Sequence, residues 1–243
     1  MRAEYGEIAA PGRIADAVEC LWWQRTAGDS AILHRVPPDG CADILFKHGP
    51  AGATLQAVGA MTRWQDFELP ARQLLIGVRF RPGMWAARIG TPADRITDQL
   101  IPLEDLWGAR ARRLLEQLGD TRSAAQCASL LAASVGDATP RSPLQRAVSF
   151  MEARGGHVSM DEMASAAGLS PRQFRRLCLL ETGLSPKFLA RVLRFRRALT
   201  RVRAEAGDHA GLAAECGYTD QSHFIADFRE FCGQTPAAFL NRG

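Results

Sequence analysis

The chain has 243 residues, of which 47% are hydrophobic and 23% charged, and its formal net charge is +4. This length allows one large domain or two modest ones with packed cores. The N-terminus has no basic stretch followed by an unbroken apolar run, and no segment approaches the ~20 apolar residues that a membrane span needs. The composition therefore predicts a cytoplasmic protein with no membrane partner, and its six scattered cysteines predict reduced, buried thiols.

The net positive charge of the chain comes from its C-terminal part. Residues 1–140 hold 15 Lys and Arg against 16 Asp and Glu, whereas residues 141–243 hold 15 against 10. Guanidinium groups match phosphate oxygens and guanine edges, so this surplus indicates a polyanionic partner. A solvated helix face could carry the same charge.

Short apolar runs with a period of two occupy the region from about Cys20 to Phe80, and Gly, Pro and Asp separate them. This pattern predicts a small antiparallel β domain. In the run LLIGVRF, for example, Leu74, Ile76 and Val78 share one face of a strand.

The pattern turns helical after Gly83. Five leucines of this region fall on one apolar stripe suited to packing on the β domain or on a second copy of the chain: Leu103, Leu106, Leu114, Leu115 and Leu118. A polar segment rich in Gly and Pro, around residues 134–143, is the candidate linker. The sequence thus predicts an α+β protein of two domains, with a β-rich effector-binding or dimerisation domain in residues 1–135 and an all-helical domain in residues 142–243.

The helical domain contains an internal repeat. Residues 163–189 match residues 212–239 at an offset of 49, which becomes 50 after one extra residue in the second turn. Each copy has a short helix of small residues, a turn opened by glycine, and a second helix with an apolar face. That arrangement predicts two helix-turn-helix units. Four helix starts carry a hydroxyl residue followed by proline: Ser142-Pro143, Ser170-Pro171, Ser185-Pro186 and Thr235-Pro236.

The second helix of the first unit carries three arginines on one face. Arg172, Arg175 and Arg176 are spaced i, i+3 and i+4, opposite Phe174 and Cys178. In a helix-turn-helix this helix enters the major groove, where Arg can bond guanine O6 and N7. The alternative is an arginine face that is merely solvated.

One amphipathic helix is predicted between the two units, with apolar residues at steps of 4, 3, 4 and 3 from Phe188 to Val202. Its roughly 20 residues would span about 30 Å, close to the ~34 Å of one DNA turn. Among the arginines on or beside this connector, Arg194 and Arg197 are predicted to hold phosphates, although solvated roles stay open.

These motifs resemble the double helix-turn-helix domain of the AraC-type transcription regulators over about residues 142–243. The resemblance rests on GYTDQSHF followed by FREFCGQTP, and on the matching first unit ASAAGLSPRQFRRL. It implies base reading by Arg172, Arg175 and Arg176 and, in the second unit, by Gln221, Ser222 and His223. Ala226 stands where many members have arginine, which predicts that the first unit dominates specificity.

The stretches VPPDGCADILF, GVRFRPGMWAARIG and PLEDLWG resemble a compact cupin-like β domain that often precedes this helix pair. The resemblance implies a domain that senses a small-molecule effector or mediates homodimerisation. The base of an effector pocket could be formed by Trp22, Trp23 and Trp64, and an anionic effector could be bound by Arg79. The tryptophans could equally be plain core, and Arg79 could serve the surface or a domain contact.

No enzyme, cofactor or metal site is predicted. His34 and His48 lack the paired His-x-His spacing of cupin metal ligands, and no G-x-S-x-G, Walker loop or H-E-x-x-H is present. A DNA-repair fusion would need a four-cysteine zinc cluster or a P-C-H-R acceptor site, and a purely architectural DNA binder would leave the β domain without a task. The sequence therefore predicts a bacterial transcription regulator whose partners are promoter or operator DNA, RNA polymerase and a small-molecule effector.

Overall fold

The computed structural model describes residues 3–121, 123–136, 142–204 and 213–240. Two antiparallel β layers form the N-terminal part of the chain. The strands are β1 (Glu4–Ala9), β2 (Val18–Arg25), β3 (Ile32–Val36), β4 (Ala42–Gly49), β5 (Gly52–Val58), β6 (Gln65–Leu69), β7 (Leu74–Phe80) and β8 (Leu100–Pro102). Six of them form a sheet in the order β1-β2-β7-β4-β5-β8, and β3 pairs with β6 in a separate ribbon.

The alternation in β7 separates two hydrophobic cores. Ile76, Val78 and Phe80 are buried in the larger core, which several helices complete. Leu75, on the opposite phase, belongs to a smaller core between the sheet and the β3–β6 ribbon. The predicted antiparallel β domain and the predicted inward face of this strand are confirmed.

Four α-helices complete the N-terminal part: α1 (Trp85–Ile89), which precedes β8, and then α2 (Glu104–Trp107), α3 (Ala109–Gly119) and α4 (Ala124–Ser134). The predicted helical run through residue 108 is broken into α2 and α3 because Gly108 adopts a φ of 53°. Leu103, Leu114 and Leu118 are buried in the larger core of the β domain. The leucine stripe therefore packs on the β domain of its own chain.

The C-terminal part is helical, as predicted. It contains α5 (Pro143–Ala153), α6 (Met160–Ala167), α7 (Pro171–Thr182), α8 (Pro186–Ala204), a helical segment over 213–215, α9 (Gln221–Cys232) and α10 (Pro236–Leu240). All four predicted hydroxyl caps accept a backbone N–H: Ser142 from Leu144, Ser170 from Gln173, Ser185 from Phe188 and Thr235 from Ala238. Residues 137–141 of the predicted linker lie outside the described residues.

Each helix-turn-helix unit has its own core, and the two cores share α8. On one side of α8, Leu189 and Leu193 pack with the first unit around Phe174. On the other side, Val192 and Phe195 pack with the second unit around its phenylalanines. The connector is therefore a common spine between two otherwise separate cores.

All six cysteines lie within the described ranges; their side chains are buried and no disulfide joins them. Within the same ranges, no group of three His, Cys, Asp or Glu residues could hold a metal ion. No described helix is both long and apolar enough to cross a lipid bilayer.

Candidate nucleic-acid interface

Local signals in the sequence place the start of α7. Gly168 ends α6 in the left-handed conformation, with a φ of 70°, which turns the chain sharply. Ser170 and Gln173 then form a reciprocal capping box, and Pro171 occupies the first helical position. The first turn of α7 is therefore fixed in direction relative to α6.

The three predicted base-reading arginines share the exposed face of α7. Phe174 and Cys178 are fully buried on the opposite face. The side chains of Arg172, Arg175 and Arg176 are all exposed. Among the described residues, none of these three guanidiniums forms an ion pair, so the face carries three uncompensated positive charges.

The second unit repeats this construction in α9. Gly217 makes the turn with a φ of 80°. Asp220 caps the helix by accepting the N–H of His223 at 2.8 Å. Gln221, Ser222 and His223 are exposed in the first turn, as the sequence predicted for residues that face a ligand. Their contacts with DNA, like those of the α7 arginines, stay predictions.

One carboxylate joins α8 to α9. Asp227, on the buried face of α9, accepts a hydrogen bond from Arg191 at 2.7 Å. Arg191 also pairs with Glu230 at 2.7 Å. The Glu230 hydrogen bond, together with Asp227, raises the pKa of Arg191, so its charge is retained at every ordinary pH.

The two connector arginines predicted to hold phosphates lie in different surroundings. Arg194 is buried, 3.5 Å from Asp227, and its guanidinium lies 4.8 Å from the ring centre of Tyr218. This placement favours a structural role for Arg194 over the predicted phosphate contact. Arg197 is exposed and stays available for DNA.

Arg196 points away from the helical domain and toward the β domain. Its guanidinium pairs with the Glu19 carboxylate and donates to the backbone oxygen of Asp39 at 3.2 Å. Burial would raise the pKa of Glu19, but the charge of Arg196 and the Cys41 thiol hydrogen bond outweigh it, and the pKa is lowered. Sequence reasoning missed this domain contact because its partners are 177 residues apart.

The four predicted effector residues do not line one pocket. Trp22 and Trp23 lie on opposite sides of β2, the first against the smaller core and the second against the larger. Trp64 packs under Arg35 near the helical domain. Only Trp22 and Arg79 come together, because both contact Asp43: the Trp22 Nε1 donates to its carboxylate at 2.7 Å, and the Arg79 Nε lies 3.6 Å away.

The carboxyl group of Asp43 is expected to make the unfolding free energy depend on pH. Burial raises its pKa from 3.8 to about 6, with Arg79 opposing the shift. The folded chain then holds a proton that the unfolded chain releases, so this stabilisation is present at low pH and is lost as pH rises through about 6. We expect the difference in unfolding free energy between the wild type and Asp43→Asn to fall by about 1–3 kcal/mol from pH 4.5 to 7. Urea unfolding measures it, and parallel pH profiles would contradict the assignment.

The histidines considered as metal ligands are arranged otherwise. His34 is half-buried, and its Nδ1 lies 3.4 Å from the Gln24 amide. Burial lowers its pKa, which keeps the ring neutral at physiological pH. His48 lies at the end of β4, and its ring stacks beside Phe46.

Family models match two parts of the chain. A helix-turn-helix domain family matches residues 163–242, and a domain of unknown function (DUF6597) matches residues 6–102. None of the curated proteins compared with the chain matches it.

Solved structures of transcription regulators are similar to the chain. A regulator with an AraC-type DNA-binding domain from Chromobacterium violaceum is 29% identical, with 41% of this chain and 90% of that chain covered and a TM-score of 0.39. The DNA-binding domain of AdpA, solved with a target DNA, is 22% identical, with coverage of 42% and 93% and a TM-score of 0.40. A variant of ToxT from Vibrio cholerae, solved in its apo form, is 10% identical, with coverage of 89% and 99% and a TM-score of 0.47.

The helix-turn-helix family match covers α7, α9 and the turn that precedes each of them. It coincides with the repeated motif that the sequence presents. In a helix-turn-helix, the N-terminal residues of the second helix are the ones that contact base edges. Residues 163–242 of this chain are therefore a helix-turn-helix domain of the AraC type, the DNA-binding domain of transcription regulators.

Proposed function

We propose that the chain binds promoter or operator DNA by placing α7 and α9 in successive major grooves on one side of the duplex. The observation that carries the proposal is the pair of exposed first turns joined by α8. With 19 residues, α8 is about 28 Å long, close to the ~34 Å of one DNA turn. Residues 1–135 and 142–243 would then act as separate domains, working in the cytoplasm, where the bacterial chromosome lies.

The two helices that are proposed to contact base edges, α7 and α9 (the reading helices), carry different side chains. Arg172, Arg175 and Arg176 on α7 suit guanine O6 and N7, which accept from guanidinium forks. Gln221 and His223 on α9 offer fewer donors, and the exposed Ala226 adds none. The first unit therefore supplies most of the base discrimination, and Arg197 contributes a phosphate contact.

A small-molecule effector controls this binding through the β domain. The support is a continuous series of polar contacts between the sheet and the connector helix α8. Trp22 donates a hydrogen bond to Asp43, and Arg79 lies close to both Asp43 and Asp39, 3.4 Å from the latter. The backbone oxygen of Asp39 then accepts a hydrogen bond from Arg196 on α8. A ligand that displaces Trp22 or Arg79 alters the surroundings of the connector helix.

A second place for the effector is a cleft of about 570 Å³ between the β domain and α5. Glu19 and Arg81 line one wall, and Arg146 and Glu152 line the other. Clefts between domains are frequent ligand sites, and these charges of both signs suit a small polar or zwitterionic molecule. RNA polymerase and a second copy of the chain complete the proposed partners.

Selection from random duplexes tests the DNA-binding proposal. The purified full chain is mixed with a library of random sequences, and the enriched duplexes are sequenced at two salt concentrations. We expect a bipartite motif with half-sites about one helical turn apart. A single short motif would show that only α7 reads bases, and no enrichment at either salt concentration would contradict the proposal.

A panel of metabolites tests the effector proposal. A true effector is expected to raise the unfolding temperature of the wild type and to change its affinity for the selected duplex. The isolated loss of this response in Trp22→Phe, which lacks the indole N–H, would place the ligand beside Asp43. The same loss in Glu152→Gln would place it in the cleft, and a response retained in both variants would contradict both sites.

A further inference from the structure

The N-terminal domain contacts the two reading helices at equivalent positions. Gly183 ends α7 and Gly233 ends α9, and both adopt the left-handed conformation, with φ of 74° and 70°. These glycines correspond to one another in the internal repeat, at the offset of 50. Each lies directly against a side chain of the N-terminal domain.

Thr97 makes the contact with α7. Its hydroxyl lies 3.1 Å from the carbonyl oxygen of Gly183 and 3.2 Å from that of Ala93. The approach is so close that a Cβ atom on Gly183 would overlap the Thr97 side-chain oxygen. The C-terminal end of α7 therefore packs directly against the segment that precedes β8.

Arg35 makes the contact with α9. Its guanidinium donates to the carbonyl oxygen of Cys232 at 3.3 Å, at the helix end where the backbone dipole favours a positive charge. Two hydrogen bonds of 2.7 Å to the Asp66 carboxylate and the ring of Trp64, 3.9 Å away, hold the guanidinium in place. A Cβ atom on Gly233 would lie 2.8 Å from Arg35 and 2.9 Å from Trp64.

Through these contacts the N-terminal domain connects the two helix-turn-helix units, in addition to the connection that α8 makes between them. Within the described residues the two cores share α8, and long helices curve, so a change in the curvature of α8 would change the separation of α7 and α9. We propose that Thr97 and Arg35 are positioning residues that set this separation and so select the spacing between the two half-sites. This inference rests on the proposed binding of two successive grooves.

The spacing of half-sites gives a direct test with the full chain. The selected duplex is compared with duplexes that carry one base pair more or fewer between the half-sites, a change of ~3.4 Å and ~35°. We expect the wild type to lose about tenfold in affinity at the altered spacings, since one of the two helices then no longer meets its half-site. We expect Thr97→Val and Arg35→Ala to reduce that discrimination to about threefold or less.

Matched variants separate positioning from folding. Thr97→Ser keeps the hydroxyl and is expected to keep the wild-type discrimination, as is Arg63→Ala, which removes an exposed neighbouring charge. Binding to a duplex with one half-site should be the same in all variants. Unchanged spacing discrimination in folded Thr97→Val and Arg35→Ala would overturn the inference. A wild type that gains nothing from a second half-site would instead overturn the two-groove function, and the positioning role with it.

Discussion

Replacing Arg176 with alanine is expected to weaken binding to the selected duplex by about 1–3 kcal/mol and to relax base preference at one position. The reason is that Arg176 is exposed on the face of α7 opposite the buried Phe174, where a guanidinium can bond one guanine edge. Fluorescence anisotropy with the selected duplex and with single-base variants of it measures both effects.

Arg229→Ala is the matched control for this substitution. Arg229 is also exposed, but it lies in the last turn of its helix, away from the base-reading turn. Its loss should lower affinity for all sequences slightly and leave base preference intact. If Arg176→Ala weakened binding to selected and random DNA equally, Arg176 would be a phosphate contact and its assignment to base reading would be wrong.

Replacing Asp227 with alanine is expected to lower the unfolding free energy by about 3–5 kcal/mol. The Asp227 side chain is only 2% exposed and faces two arginines, Arg191 and Arg194, whose charges it balances. Its removal leaves buried positive charge between α8 and α9 without compensation. Chemical unfolding followed by circular dichroism measures the loss.

Glu230→Ala removes the other carboxylate that pairs with Arg191. The Glu230 side chain is 51% exposed, so solvent screens its interaction and the expected cost is below about 1 kcal/mol. Equal effects of the two substitutions would contradict the view that Asp227 anchors the second unit to the connector.

The elements with local signals were predictable from the sequence. The capping hydroxyls, the turn glycines and the 3.6-residue periodicity of α8 act over a few residues, so one sequence reveals them. The strands β1 and β8 were not predicted. β8 has three residues, and β1 lies at the sheet edge with most of its side chains exposed, so neither shows a clear alternation of buried and exposed residues.

Partners across the fold could not be predicted. Nothing in the pattern of α8 distinguishes Arg196, which contacts the β domain, from Arg197, which is exposed one position later. Arg194 is similar in sequence context but is buried against Asp227. These differences depend on which face of the helix each neighbouring domain covers, and this is fixed only by the tertiary fold.

Hydroxyl-radical footprinting of the full chain on the selected duplex tests the central claim most directly. Two reading helices in successive major grooves predict protected backbone segments on one face of the duplex, about ten base pairs apart. Protection confined to a single groove, or distributed around the whole duplex, would contradict the assignment of both α7 and α9 to DNA recognition.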